Sequence, residues 1–264
     1  MPETFFGWVT FLIQEYGEVL FHGALVTLLL AVIGTLVGCI IGLIVGVIQT
    51  IPLENNASKA QKLCIRSVQR LLDAYVEVFR GTPMIVQAMV VYYGAMSIFD
   101  IDMSPLFAGL LVVSINTGAY MAETVRGGIE SVDPGQKEAA IAIGMDHLQT
   151  MRCVILPQAL RNVMPQLGNN LIINIKDTSV LNVISVTELY FASKSAAGVY
   201  YKYFEIFFIT CVMYFIMTFT ASRLLRWAES KMDGPKDYQL VTYDPMMDPC
   251  GDIPLPTKKQ KGRY

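Results

Sequence analysis

Charge is scarce in this sequence: Asp, Glu, Lys and Arg make up 16% of 264 residues, against 53% hydrophobic residues, and the formal net charge is −2. Soluble domains carry about 25% charged residues, so this composition does not suit a surface that water covers all round. The near-neutral balance also excludes nucleic acid as a partner recognised by charge. Histidine is scarcer still. His22 and His147 are the only two, too little for a metal cluster or a triad, and each reads as a structurally satisfied polar side chain. Five cysteines (Cys39, Cys64, Cys153, Cys211 and Cys250) stand apart without C-x-x-C spacing, which suggests neither a disulfide framework nor a zinc site. The chain also lacks a G-x-x-x-x-G-K-[ST] phosphate loop, an H-E-x-x-H pair and a G-x-S-x-G elbow. No catalytic residue, metal ligand or cofactor is therefore assigned to it, and an enzyme reading has nothing to stand on.

What the chain has is apolar runs. Gly23 to Ile48 carries no charge, long enough to cross about 30 Å of hydrocarbon as a helix. Gly34, Gly38, Gly42 and Gly46 repeat every fourth residue there and form one smooth helix face, read as a seam for another helix. Met84–Phe99 is uncharged but short, so its helix is expected to begin earlier, within Leu71–Phe79. Met103–Ala122 makes a third span, and Val163–Ile175 with Thr178–Thr187 a fourth, broken at Lys176-Asp177. Ile206–Ser222 is the fifth. The expected fold is an all-α polytopic membrane protein with five transmembrane helices. Nearly all lysines and arginines fall in 54–83, 126–162 and 223–264, which places the N-terminus outside and the C-terminus inside. Glu3, Glu15 and Glu18 precede the first apolar run without a basic residue, so no cleavable signal peptide is expected. The expected division is an extracytoplasmic segment 1–19, a transmembrane domain 20–230 and a mobile, proline-bearing cytoplasmic tail 231–264.

One cytoplasmic loop, Asp133 to Pro157, is patterned rather than flexible. Asp133, Pro134 and Gln136 read as a capped helix start with a D-x-x-Q box, and Gly144 as its stop. Asp146 and Gln149 repeat the box, and Leu148, Met151 and Ile155 give the second helix an apolar face.

Within that loop Glu138-Ala139-Ala140, Gly144 and Val154-x-Leu156-Pro157 follow the spacing E-A-A-x3-G-x9-I-x-L-P, with Val154 in place of Ile. Further words flank it: Glu77 to Pro83 (EVFRGTP), Ala119 to Gly128 (AYMAETVRGG), Gly135-Gln136, Pro157-Gln158-Ala159 and Lys176 to Ser179 (KDTS). From about His22 to Trp227 the chain resembles the permease subunits of ABC importers of the type I fold, in the polar amino acid branch. The resemblance implies a bacterial inner-membrane subunit that pairs with a second permease, itself or a homologue, around a central path. It implies an ATP-binding subunit dimer that holds ATP and Mg, an extracytoplasmic substrate-binding protein, an amino acid substrate and surrounding lipid. The loop becomes a coupling helix seated in the ATPase. There Glu138 makes a polar contact, Ala139 and Ala140 keep the helix slim, Gly144 allows a bend and Pro157 marks the join to the next element.

Polar residues at membrane depth are the candidates for a substrate path. Asn170, Asn174 and Asp177 fall at i, i+4 and i+7, one helical face, beside Lys176 and Ser179, with Asn116 and Thr117 opposite and Glu123 near the inner end of the third span. One carboxylate beside one lysine suits a neutral polar amino acid, with glutamine first and arginine, histidine or cystine behind. Lys176-Asp177 reads equally as a structural element that anchors helix packing. A channel or sensor module without ATP coupling is the alternative from another class.

Overall fold

The structure, a computed structural model, describes residues 2–51 and 58–232, and every element among them is helical. The first helix, α1 (Phe5–Gln49), has 45 residues and starts where the Thr4 hydroxyl accepts the Gly7 N–H at 3.2 Å. With no proline and no charge in its second half it runs unbroken for roughly 68 Å, more than twice a hydrocarbon core of about 30 Å. Residues 5–19 thus continue into the first apolar run as one helix. It ends at Thr50, where Gln69 Nε2 donates to the carbonyls of Ile48, Gln49 and Ile51 and so satisfies groups a helix end leaves open.

The next two helices, α2 (Lys59–Gly81) and α3 (Met84–Phe99), are bent by 112° at Thr82-Pro83. They are not the single helix expected to begin within Leu71–Phe79. Pro83 lacks an N–H and pushes Thr82 into an extended conformation, φ −116° and ψ 145°. Gln87 Nε2 donates to the freed carbonyls of Phe79 and Thr82, both at 2.9 Å, so the break needs no water in the apolar interior.

Helix α4 (Pro105–Glu130) is the central element, capped by Ser104 and started by Pro105. It lies along the glycine face of α1. A Cβ on Gly38 would stand 2.6 Å from Thr117 Cβ, and one on Gly46 2.7 Å from the Ala122 carbonyl, so only glycine permits this approach. The seam is internal to the chain.

Short helices α5 (Pro134–Ala142) and α6 (His147–Thr150) follow, then a π turn (Met151–Ile155) that feeds α7 (Leu156–Asp177). Helix α7 stays helical through Lys176 and Asp177, and the expected break falls after them, in a 3₁₀ turn Thr178–Ile184 that ends at Ser185 with φ 65°. Helices α8 (Leu189–Tyr200) and α9 (Tyr203–Met232) complete the fold. Buried apolar groups form a column along α1 and α4: Leu12, Leu20 and Ile206 at one end, Leu30, Val112 and Leu181 in the middle, and Val125, Ile155 and Val163 at the other.

Three described helices, α1, α4 and α9, are long and apolar enough to cross a membrane, and the bent pair α2–α3 brings the number to four. Helix α7, the expected fourth span, falls short because Asn169, Asn170, Asn174 and Lys176 dilute it. From residue 233 onward the expected tail lies outside the described residues.

Candidate functional site

A cavity of about 470 Å³ opens where three irregularities meet: the α2–α3 break, the middle of α4 and the last turns of α7. The break contributes Arg80, Thr82 and Met84, α4 contributes Asn116, Thr117 and Tyr120, and α7 contributes Asn170, Asn174 and Asp177. The predicted i, i+4, i+7 face of α7 therefore lines one wall, with Asn116 and Thr117 across from it.

The amides on these walls also hold the walls together. Asn174 Nδ2 donates to Thr35 Oγ1 at 2.7 Å and to Thr117 Oγ1 at 2.9 Å, tying α7 to both α1 and α4. Asn170 Nδ2 contacts Met121 Sδ at 2.9 Å. Asn116 Nδ2 donates to the Phe79 carbonyl at 3.1 Å and to Gln87 Oε1 at 3.0 Å, so it braces the α2–α3 break. With these donors engaged, the polar character left to the cavity comes largely from amide oxygens and two charges.

Those charges are Arg80 and Asp177. Arg80 Nη1 lies 3.5 Å from Glu123 Oε2, and its guanidinium stands 5.6 Å from the Tyr120 ring centroid. Glu123 itself does not line the cavity; it holds Arg80 and also pairs with Arg126, which reaches Glu130 at 3.0 Å. Lys176 is exposed and outside the cavity, and Ser179 sits in the 3₁₀ turn, where its carbonyl accepts from Asn182. Arg80 was legible as a motif residue of Arg-Gly-Thr-Pro but not as a cavity residue; a charge placed beside a helix-breaking proline was the available signal.

A second residue escaped the sequence reading altogether. Glu188 is fully buried, and its carboxylate accepts from the Tyr190 and Phe191 N–H groups, each at 2.8 Å, and from the Tyr214 hydroxyl at 2.9 Å. Thr27 on α1 stands beside it and accepts the Leu189 N–H at 3.2 Å. One carboxylate thus caps α8 and ties it to α1 and α9.

The Asp133–Pro157 loop projects from the α4–α7 end. Asp133 Oδ1 accepts from the Gly135 N–H at 2.7 Å, while the Gln136 N–H goes to the Asp133 backbone carbonyl at 2.9 Å. The expected reciprocal box with Gln136 is therefore replaced by a tighter turn. The Asp146–Gln149 box forms in full, at 2.7 and 3.1 Å. Gly144, at φ 87°, closes α5: its N–H bonds the Ile141 carbonyl at 2.9 Å and the Met145 N–H bonds the Ala140 carbonyl at 3.0 Å, a Schellman ending. Glu138 and Ala139 are exposed and Ala140 is buried. Pro157 sits in the first turn of α7. The expected apolar face splits. Ile155 turns inward while Leu148 is 73% exposed, because the π turn shifts the angular register that an α-helical spacing assumes. Ile143, 78% exposed, is another bare apolar side chain of the loop.

Long apolar helices packed around a cavity with charged and amide groups on its walls are the make-up of a multi-pass membrane protein. The chain belongs to the family of binding-protein-dependent transport system inner membrane components, whose model matches residues 65–234. That range contains the cavity's charges and the whole loop. The chain is similar to the glutamine transport system permease protein GlnP of Escherichia coli (strain K12), 41% identical over 159 residues, covering 60% of this chain and 73% of that one. It is also similar to the arginine transport system permease protein ArtQ of Bacillus subtilis (strain 168), 32% identical over 162 residues, covering 61% and 74%. Among solved structures, an amino acid ABC transporter crystallised with histidines matches at 34% identity and TM-score 0.75, over 88% of this chain and all of that one. The family is one of membrane permease components, not of enzymes.

Proposed function

We propose that this chain is the permease of an ATP-driven importer of polar amino acids, with glutamine as its first substrate. The observation that carries the reading is the cavity midway along α4, in which Arg80 and Asp177 present one charge of each sign. An α-amino acid zwitterion needs that complement: Arg80 takes the carboxylate, Asp177 the ammonium, and amide oxygens of Asn170 and Asn174 meet a neutral polar side chain. A cationic substrate would call for a further carboxylate, and Glu123 is already committed to Arg80 and Arg126.

The reading has five spans, α1, the bent pair α2–α3, α4, α7 and α9, with the N-terminus outside. Helix α7 then spans despite its low hydropathy because its polar face looks into the cavity rather than at lipid. In this arrangement the Asp133–Pro157 loop is cytoplasmic. Its exposed Glu138, Ile143 and Leu148 meet an ATP-binding subunit, with Gly144 and Pro157 setting the angles of the elements they end and begin. ATP and Mg are held by that subunit. A second permease, an extracytoplasmic binding protein and lipid complete the assembly.

The test is uptake of radiolabelled glutamine into proteoliposomes carrying the assembled complex and its binding protein. ATP-dependent accumulation that unlabelled glutamine competes away, and arginine does not, is expected. Preferential accumulation of arginine would reassign the substrate, and uptake indifferent to ATP would overturn the importer reading.

A further inference from the structure

Behind the Asp133–Pro157 loop lies a second cavity, of about 290 Å³, that the transport path does not use. It is lined by the end of α1 at Thr50, the end of α4 at Ile129 and Val132, the first turns of α5, and the α6–π segment from His147 to Ile155, and it opens to the outside on the α5 side. Its volume lies just below the range of about 300–1,000 Å³ usual for ligand sites, and apolar side chains line it together with a few polar ones.

The polar groups have capacity to spare. Lys137, an exposed residue, stands at the rim of the cavity, and among the described residues no hydrogen bond or ion pair occupies its ammonium. His147 lines it as well, half-buried and likewise without a side-chain partner among the described residues. Thr150 is 2% exposed, and its hydroxyl has no hydrogen-bond partner among the described residues. Among the described residues only Gln49 Oε1 shares this state, and other helical threonines behave differently. The hydroxyls of Thr10, Thr82, Thr124, Thr210 and Thr218 all return to the carbonyl four residues back. A buried hydroxyl left unmatched in a folded protein calls for an explanation, and a ligand group is one. Asp133 also stands on the wall, with Oδ1 engaged by the Gly135 N–H. Its negative charge opposes a dianion such as phosphate more than a monoanion.

We infer that this cavity binds a small monocarboxylate with a short branched hydrocarbon body. The carboxylate is held between Lys137, His147 and the Thr150 hydroxyl, and the hydrocarbon lies on Ile129, Val132 and Met151. Such a ligand joins the ends of α1 and α4 to both helices of the loop, so its occupancy stiffens the loop at its root. Binding is a property of this chain alone and stands or falls independently of the transport reading.

The experiment is titration of the purified full chain in detergent with 3-methylbutanoate, followed by saturation-transfer NMR on the ligand methyl groups and by amide exchange over residues 134–155. Saturable binding is expected, with a Kd on the order of 1 mM, as suits so small a ligand, and exchange slows in that segment alone. Lys137→Met and Thr150→Val should each weaken binding about tenfold, roughly the loss of one good polar contact. Thr150→Val, which only removes an unmatched hydroxyl, should leave the thermal midpoint of the chain unchanged or higher. Equal binding of the neutral isostere 3-methylbutanol, binding of inorganic phosphate in preference to the carboxylate, unchanged affinity in both variants, or no saturable binding would each overturn the inference.

Discussion

At the scale of single residues, the side chains that bind three helices together are polar, and they are satisfied from far along the chain. Asn174 meets Thr35 and Thr117, and Glu188 meets Tyr214 and the start of its own helix. Inside an apolar column such groups hold only while each keeps its partners, because an orphaned polar group has no water to fall back on. Glu188→Ala leaves the Tyr214 hydroxyl and two N–H groups unmatched and should cost about 1.5–3 kcal/mol, the scale of a hydrogen bond to a charged group. Glu188→Gln keeps an acceptor oxygen and should cost less than half of that. Detergent-induced unfolding followed by circular dichroism measures both, and equal losses would show that the carboxylate's charge rather than its acceptors matters. Asp177 is a different case, since it is exposed, lines the cavity and makes no hydrogen bond or ion pair among the described residues. Asp177→Asn should therefore leave folding intact and reduce glutamine uptake at least tenfold, with the increase falling on the half-saturating concentration.

At the scale of elements, the α1–α4 seam sets the architecture, and glycine sets the seam. Gly38→Ala forces a methyl to within 2.6 Å of Thr117 Cβ and 2.9 Å of the Ser114 carbonyl, so the helices must separate, at a cost of about 1–3 kcal/mol. Gly94, in α3, has nothing within 4 Å of a new Cβ, and Gly94→Ala should stabilise the chain by about 0.4–1 kcal/mol. The same unfolding measurement compares the two, and equal signs would contradict the seam. Such features were legible from the sequence because they are local or periodic: a glycine every fourth residue, Asp146 three before Gln149, a glycine after α5. Three others were not. The α2–α3 bend is stabilised by Gln87 and Asn116, which a reading of Thr82-Pro83 alone does not include. The π turn at Met151–Ile155 leaves the composition helical while turning Leu148 outward. Glu188 has partners 26 and 161 residues away, and no spacing rule reaches so far. Helix α7, read from the sequence as part of a span, falls short on average hydropathy alone, a measure that cannot tell a polar face turned into a cavity from one turned to solvent.

At the scale of the whole molecule, the cavity and the loop are joined by a continuous column of side chains. Met121, which touches Asn170 in the cavity wall, belongs to the same buried cluster as Val125, Ile129, Ile155, Ala159 and Val163, and Ile155 lies in the π turn that ends the loop. A rigid capped loop displaced at its end would therefore press on α7 and α4 along the column that reaches Asn170 in the cavity wall. The crossing depends on Gly128, where a Cβ would stand 2.6 Å from Val163 Cγ2 and 3.3 Å from the Ala159 carbonyl. Gly128→Leu wedges this crossing open without touching Arg80, Asn174 or Asp177. Glutamine binding to the detergent-solubilised complex should then be unchanged, while uptake per ATP hydrolysed falls by about 5- to 30-fold, the factor that one or two kcal/mol of misfit represents. Loss of binding together with uptake would mean that the variant has disturbed the fold as a whole. Unchanged uptake per ATP would mean that the α4–α7 crossing carries no motion, and that force from the loop reaches the cavity by another route.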